Sequence, residues 1–102
     1  MELTLRRYNG PGVIAGIPFD SMLVVECAEG EGETVTRRWW EVKGTVAHAA
    51  AFEGALMEAA RSGRCLVEVP EVGEAEAEVR ALSQEGGWWT VELRGTDRSP
   101  LS

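Results

Sequence analysis

Apolar residues recur at every second position through most of this chain, and the period changes to three-and-four only once, over residues 46–62. A period of two belongs to a strand with one wet face, and a period near 3.6 to a helix. The pattern therefore predicts an α+β fold. It is a mainly antiparallel, curled sheet of about six strands, in the order β-β-β-α-β-β-β, with one amphipathic helix packed on one face.

The segments follow from local chemistry. Strands are expected over 2–8, 22–28, 34–43, 65–69, 74–82 and 88–94. Asn9-Gly10-Pro11-Gly12 reads as a turn, and Val13 to Asp20, broken by Gly16 and Pro18, as a packed loop or irregular edge segment. Glu29 to Glu33 is a solvated turn, and Gln84-Glu85-Gly86-Gly87 a hairpin turn. Thr45 is the expected N-cap of the helix, and Gly63 its left-handed C-terminal cap. On the helix, Ala49, Phe52, Leu56, Ala59 and Ala60 share one stripe, while His48, Ala51, Ala55, Glu58 and Ser62 point away. Gly54 costs helix stability and marks an expected close approach to the sheet. The strict alternation of Glu74, Glu76 and Glu78 with alanines reads as the solvent face of an edge strand.

With 102 residues the chain fits one domain, assigned to 1–95, with a flexible C-terminal tail over 96–102. A chain of this size buries enough surface for a core without metals or disulfides. The formal charge of −7 works against a general polyanion-binding role. No apolar run reaches the length of a membrane span, and the first residues lack the order of a signal peptide. A cytoplasmic setting is the expectation. Cys27 and Cys65 have no C-x-x-C spacing and read as free, buried thiols.

Catalytic chemistry finds little to work with. His48 is the single histidine and lies on the polar side of the helix. No His/Cys/Asp/Glu spacing fits a metal site, and no cofactor is implied. The run from Gly10 to Gly16 spaces its glycines as G-x-G-x-x-x-G, with Pro11 removing an amide donor and Pro18 standing where a helix should begin. The anion cradle of a phosphate loop is therefore missing. The expectation is a protein without enzymatic activity.

The tryptophan pairs carry more. In each pair one ring should enter the core and the other leave it. Trp40 and Trp89 alternate with Val42, Val91 and Leu93 and should be buried; Trp39 and Trp88 should be exposed. With Arg37, Lys43 and Arg94 they form the expected binding patch, because Trp and Arg dominate interface hot spots. Glu74, Glu76 and Glu78 form a secondary acidic surface. The function expected is stoichiometric binding to another protein, as an inhibitor, immunity or accessory protein, with a homodimer as a further partner. The alternative is a single-stranded nucleic-acid binder using an aromatic-basic sheet face.

Overall fold

The computed structural model describes residues 1–95 and 97–102. They form β1 (Glu2–Ile14), β2 (Ile17–Glu31), β3 (Thr34–Ala47), α1 (Ala50–Ser62), β4 (Arg64–Val69), β5 (Gly73–Glu85) and β6 (Trp88–Gly95). Strand outweighs helix 68% to 13%, so the strands themselves build most of the core.

All neighbouring strands are antiparallel, in the closed order β1-β2-β3-β6-β5-β4. The chain thus folds as two three-stranded meanders joined by α1. They meet along β3 and β6, through the register Trp40↔Gly95 to Ala47↔Trp88. The second seam is far shorter: β1 and β4 pair only as Val13↔Glu68 and Ile14↔Val67. The first meander is longer than the second and runs on past the barrel, which stretches the molecule to 48 × 26 × 22 Å.

Hairpin chemistry explains where the strands exceed the sequence reading. Residues 13–20 are not a loop. Ala15 and Gly16 both take positive φ (55° and 77°), the pattern of a two-residue turn whose twist matches the strands. Alanine in the first of these positions hides the signal, which normally reads Asn-Gly or Gly-Gly. Gly86 and Gly87 show it openly, with φ of 60° and 82°. The expected turn at 9–12 lies inside β1 instead. The β1–β2 register shifts between Gly10 and Gly12, where Pro11 alone stands opposite Asp20 and Ser21, so the extra residue of the bulge lies on β2 and the strand runs on through the proline.

The interior gathers Ile14, Ile17, Phe19, Met22, Val24, Trp40, Val42, Val67, Trp89, Val91 and Leu93 into one cluster. Trp40 and Trp89 are buried, as their alternation requires, at 1% and 5% exposure. Trp40 lies flat over Gly95: a Cβ there would stand 2.0 Å from its ring.

The helix starts later than its periodicity suggests. Val46 and Ala47 still pair with Trp89 and Trp88, so Thr45 is a strand residue and Ala49 takes the N-cap position without a side-chain bond. Leu56 and Ala59 are buried, and Phe52 and Ala55 pack half-buried against the core. Ala60 is exposed, so the inward stripe is rotated by about one position from the expected one. No neighbour stands within 4 Å of where a Gly54 side chain would begin, so that glycine marks no close approach. Gly63 does take the left-handed cap, with φ of 80° and its N–H bonded to the Ala59 carbonyl.

Two further expectations change in the closed barrel. β5 lies between β4 and β6 in the closed order, but β6 joins it only from Glu78 onward, so Glu78 faces outward from an interior stretch while Glu74 and Glu76 keep the one-sided pairing of an edge. The alternation is the same in both settings, because it reports one wet face and not the number of neighbours. The tail expected to fray packs instead over residues 97–102; Thr96, where that tail was expected to begin, lies outside the described residues. Ser99 and Pro100 are buried. Trp40 Nε1 donates to the Asp97 carbonyl (3.1 Å), and Arg6 donates to the Leu101 carbonyl (2.8 Å). The polar composition of the segment conceals an apolar Pro100-Leu101 pair that seats on the barrel end.

Candidate functional site

The outward side chains of β3 alternate as Arg37, Trp39, Glu41 and Lys43. In register, Glu41 lies opposite Arg94 and Lys43 opposite Glu92 on β6. On the other side, Cys27, Val25 and Leu23 of β2 oppose Trp39, Glu41 and Lys43. Four of the five predicted binding residues, Arg37, Trp39, Lys43 and Arg94, therefore share one exterior face. Trp88 does not join them. It lies opposite Ala47, eight residues along β3 from Trp39, or about 26 Å at strand rise. The strands are adjacent, as the patch required, but antiparallel pairing sends the two rings to opposite ends. Trp88 remains the exposed member of its pair at 53%.

Trp39 is not exposed, contrary to its alternation: only 6% of it is accessible. It does point outward, but its neighbours cover it. The guanidinium carbons of Arg37 and Arg94 stand 4.7 and 5.1 Å from the ring centroid. Its Nε1 donates to Glu41 Oε2 at 2.9 Å. Cation–π attraction and this charge-assisted bond hold the ring as a platform beneath two arginines. Strand periodicity gives the direction of a side chain, not the length of its neighbours, so this cover was invisible in sequence.

Beside the platform lies an open groove of about 520 Å³. Leu23 and Val25 give it an apolar side, and Glu41, Lys43, Arg80, Glu92 and Arg94 give it charge. Arg80 was not expected here. The β5–β6 register shifts between Val79 and Ala81, making Arg80 the extra residue of a bulge, a device that re-aims a side chain. Three cations (Lys43, Arg80, Arg94) against two anions (Glu41, Glu92) leave the lining at +1, in a chain whose net charge is −7. Among the described residues, the ion pairs are Arg6–Glu26, Arg37–Glu29, Arg61–Glu58 and Arg64–Glu76. None of them uses the three groove cations.

The acidic row on β5 is partly matched by cations. Glu76 pairs with Arg64 at 3.1 Å, and Glu78 lies in register between Arg64 and Arg94. Glu74 faces Glu68 instead, a like-charge cross-strand pair.

His48 and the cysteines are kept apart. His48 stacks on Trp89 with centroids 5.9 Å apart, at the end of β3 remote from Cys27. Both cysteines are free thiols. Burial, then Glu41, pushes the Cys27 thiol above its ordinary value of 9.0; burial, then Glu76, does the same to Cys65. Neither is activated as a nucleophile. Thiol titration of the unfolded, unreduced protein should find both cysteines. The raised values also set a direction for stability. As pH rises past the ordinary thiol range, the unfolded chain loses its thiol protons before the folded one. This contribution is thus complete below about pH 9 and is lost as pH climbs through the folded values. Replacing Cys27 by serine should flatten that alkaline loss in a melting-temperature series.

Comparison with known proteins found no matching family model, no matching curated protein and no matching solved structure.

Proposed function

We propose that this chain works by stoichiometric binding to another protein through the groove on the β2-β3-β6 exterior, without catalysing a reaction. The observation that carries the reading is the cationic groove on an acidic molecule. Leu23 and Val25 offer an apolar contact, and Lys43, Arg80 and Arg94 stand beside it without ion-pair partners among the described residues. A matching segment would present an apolar side chain flanked by carboxylates. Arg94 braces Trp39 as well, so the groove's shape is held by the same group that supplies charge. An inhibitor, immunity or accessory role suits such a surface, and a cytoplasmic setting suits two unpaired thiols.

The nucleic-acid alternative draws less support. Stacking of single strands needs accessible aromatic faces, and Trp39 is covered while Trp88 stands alone about 26 Å away.

The test uses the double variant Lys43→Glu, Arg80→Glu, which spares Arg94 and its contact with Trp39. A partner captured from host lysate by the wild-type chain should bind this variant more weakly by about 2 kcal/mol or more. The wild-type association rate should fall with added salt, and that dependence should shrink in the variant. Equal capture by both, with unchanged melting temperature, would remove the groove from the reading. Quenching of tryptophan fluorescence by single-stranded oligonucleotides, with a steep salt dependence, would favour the alternative.

A further inference from the structure

The groove on the β2-β3-β6 exterior sets an apolar wall directly beside a cation. Leu23 and Lys43 are cross-strand partners, and Val25 stands next to them opposite Glu41. Side chains of such a pair leave the sheet about 5 Å apart. Leu23, Val25 and Lys43 all line the groove, with Arg80 and Arg94 on its other side. A ligand that uses wall and cation together carries an apolar group and a negative charge about one strand spacing apart.

In an extended internal segment those two groups sit on different residues. Adjacent side chains then point to opposite faces, and the next pair on one face is about 7 Å apart. In the last residue of a chain, the side chain and the carboxylate leave the same Cα. The terminal residue matches the closer spacing.

Charge and shape select the same ligand. Across the β3–β6 seam Glu41 lies opposite Arg94, and Lys43 opposite Glu92, so these two rows offset each other in sign. Arg80, the extra residue of the β5 bulge, is the unmatched charge. One carboxylate meets it, whereas a longer acidic run would face Glu41 and Glu92. The volume of about 520 Å³ is that of a small-ligand site, enough for the last residues of a chain. Beyond Glu41, the next outward side chain of β3 is Trp39, roofed by Arg37 and Arg94. This stack blocks the strand's exterior at that end. A groove blocked at one end receives a terminus more readily than a segment that must run through.

We propose that the groove binds the C-terminal residue of a partner chain, with its apolar side chain on Leu23 and Val25 and its carboxylate on Lys43 and Arg80. This rests on the groove reading above and specifies which part of the partner enters.

Isothermal titration calorimetry on the full chain tests it with a short, neutral, acetylated peptide ending in leucine with a free carboxylate. The comparison ligands are the same peptide amidated, an amidated peptide with leucine beside an internal aspartate, and N-acetylleucine. The free-acid peptide should bind saturably, and the two amidated peptides about tenfold or more weakly, since each lacks the terminal charge. Lys43→Gln and Arg80→Gln should each remove most of the acid–amide difference while leaving the affinity for the amide and the melting temperature unchanged. Arg61→Gln on α1, whose side chain pairs with Glu58 away from the groove, should leave the difference intact. No binding of the free acid, equal binding of acid and amide, or a difference that survives in both groove variants would overturn the proposal. N-acetylleucine binding as tightly as the peptide would overturn it too, by assigning the site to a free small acid. The groove reading stands or falls separately, on partner capture by Lys43→Glu, Arg80→Glu. Equal acid and amide binding, with capture still lost in that double variant, would remove the terminus and keep the groove.

Discussion

Replacing Gly95 by alanine should destabilise the protein by about 3 kcal/mol, read as a lowered denaturant midpoint with an unchanged slope. The added Cβ would stand 2.0 Å from Trp40 Cε2 and 2.2 Å from Cζ2. An indole cannot yield as a methionine tail can. The ring is 1% exposed, its Nε1 is tied to the Asp97 carbonyl, and Gly95 is its direct cross-strand partner. Overpacking at a fully buried ring therefore forces backbone movement in β3 or β6, on the seam that joins the two meanders. Trp40→Ala alone should cost about 3–5 kcal/mol as a large-to-small core change. The double variant should cost clearly less than the sum, because the methyl then enters space the ring has left. Strict additivity would show that the two residues do not share that space.

Leu56→Ala should cost about 2–5 kcal/mol. Leu56 is 1% exposed and belongs to the same cluster as Ile14, Val67 and Trp89. It is the largest side chain that α1 buries completely, and the helix has few other means of attachment. Ala59 is small, Phe52 and Ala55 are half-buried, and the N-cap makes no side-chain bond. Met57→Ala, one position along and 54% exposed, is the matched control and should move the midpoint little. A midpoint shifted by Met57→Ala but not by Leu56→Ala would mean that the helix is rotated relative to the barrel.

The alternation of Trp40 with Val42, and of Trp89 with Val91 and Leu93, was enough to place both rings inside. The change of period after Lys43 was enough to place one helix between two sets of three strands. Barrel closure was not legible, because a strand's own residues report which face is wet and not which strands lie beside it. The Ala15-Gly16 turn was missed because alanine seldom takes positive φ, and the continuation of β1 through 9–12 because proline and two glycines imitate a turn. At the candidate site, the common face of Arg37, Trp39 and Lys43 followed from the period of two. Arg94 and Arg80 needed the β3–β6 register and the β5 bulge, which are long-range facts. The cover over Trp39 depends on two long side chains folding across a ring, which no periodicity encodes.

The β1–β4 seam deserves a mechanical view. Two residue pairs close a barrel whose other five seams each run through at least six. The molecule is thus a curled ribbon fastened by a clasp. The two strands of the clasp bring Ile14 and Val67 to the same fully buried point. The seam with the fewest ladder pairs is the one at Val13–Ile14; opening it would uncover Ile14 and Val67 while each meander keeps its own hydrogen bonds. Shape fluctuation in this protein would then be a swing of one meander against the other, hinged along β3 and β6.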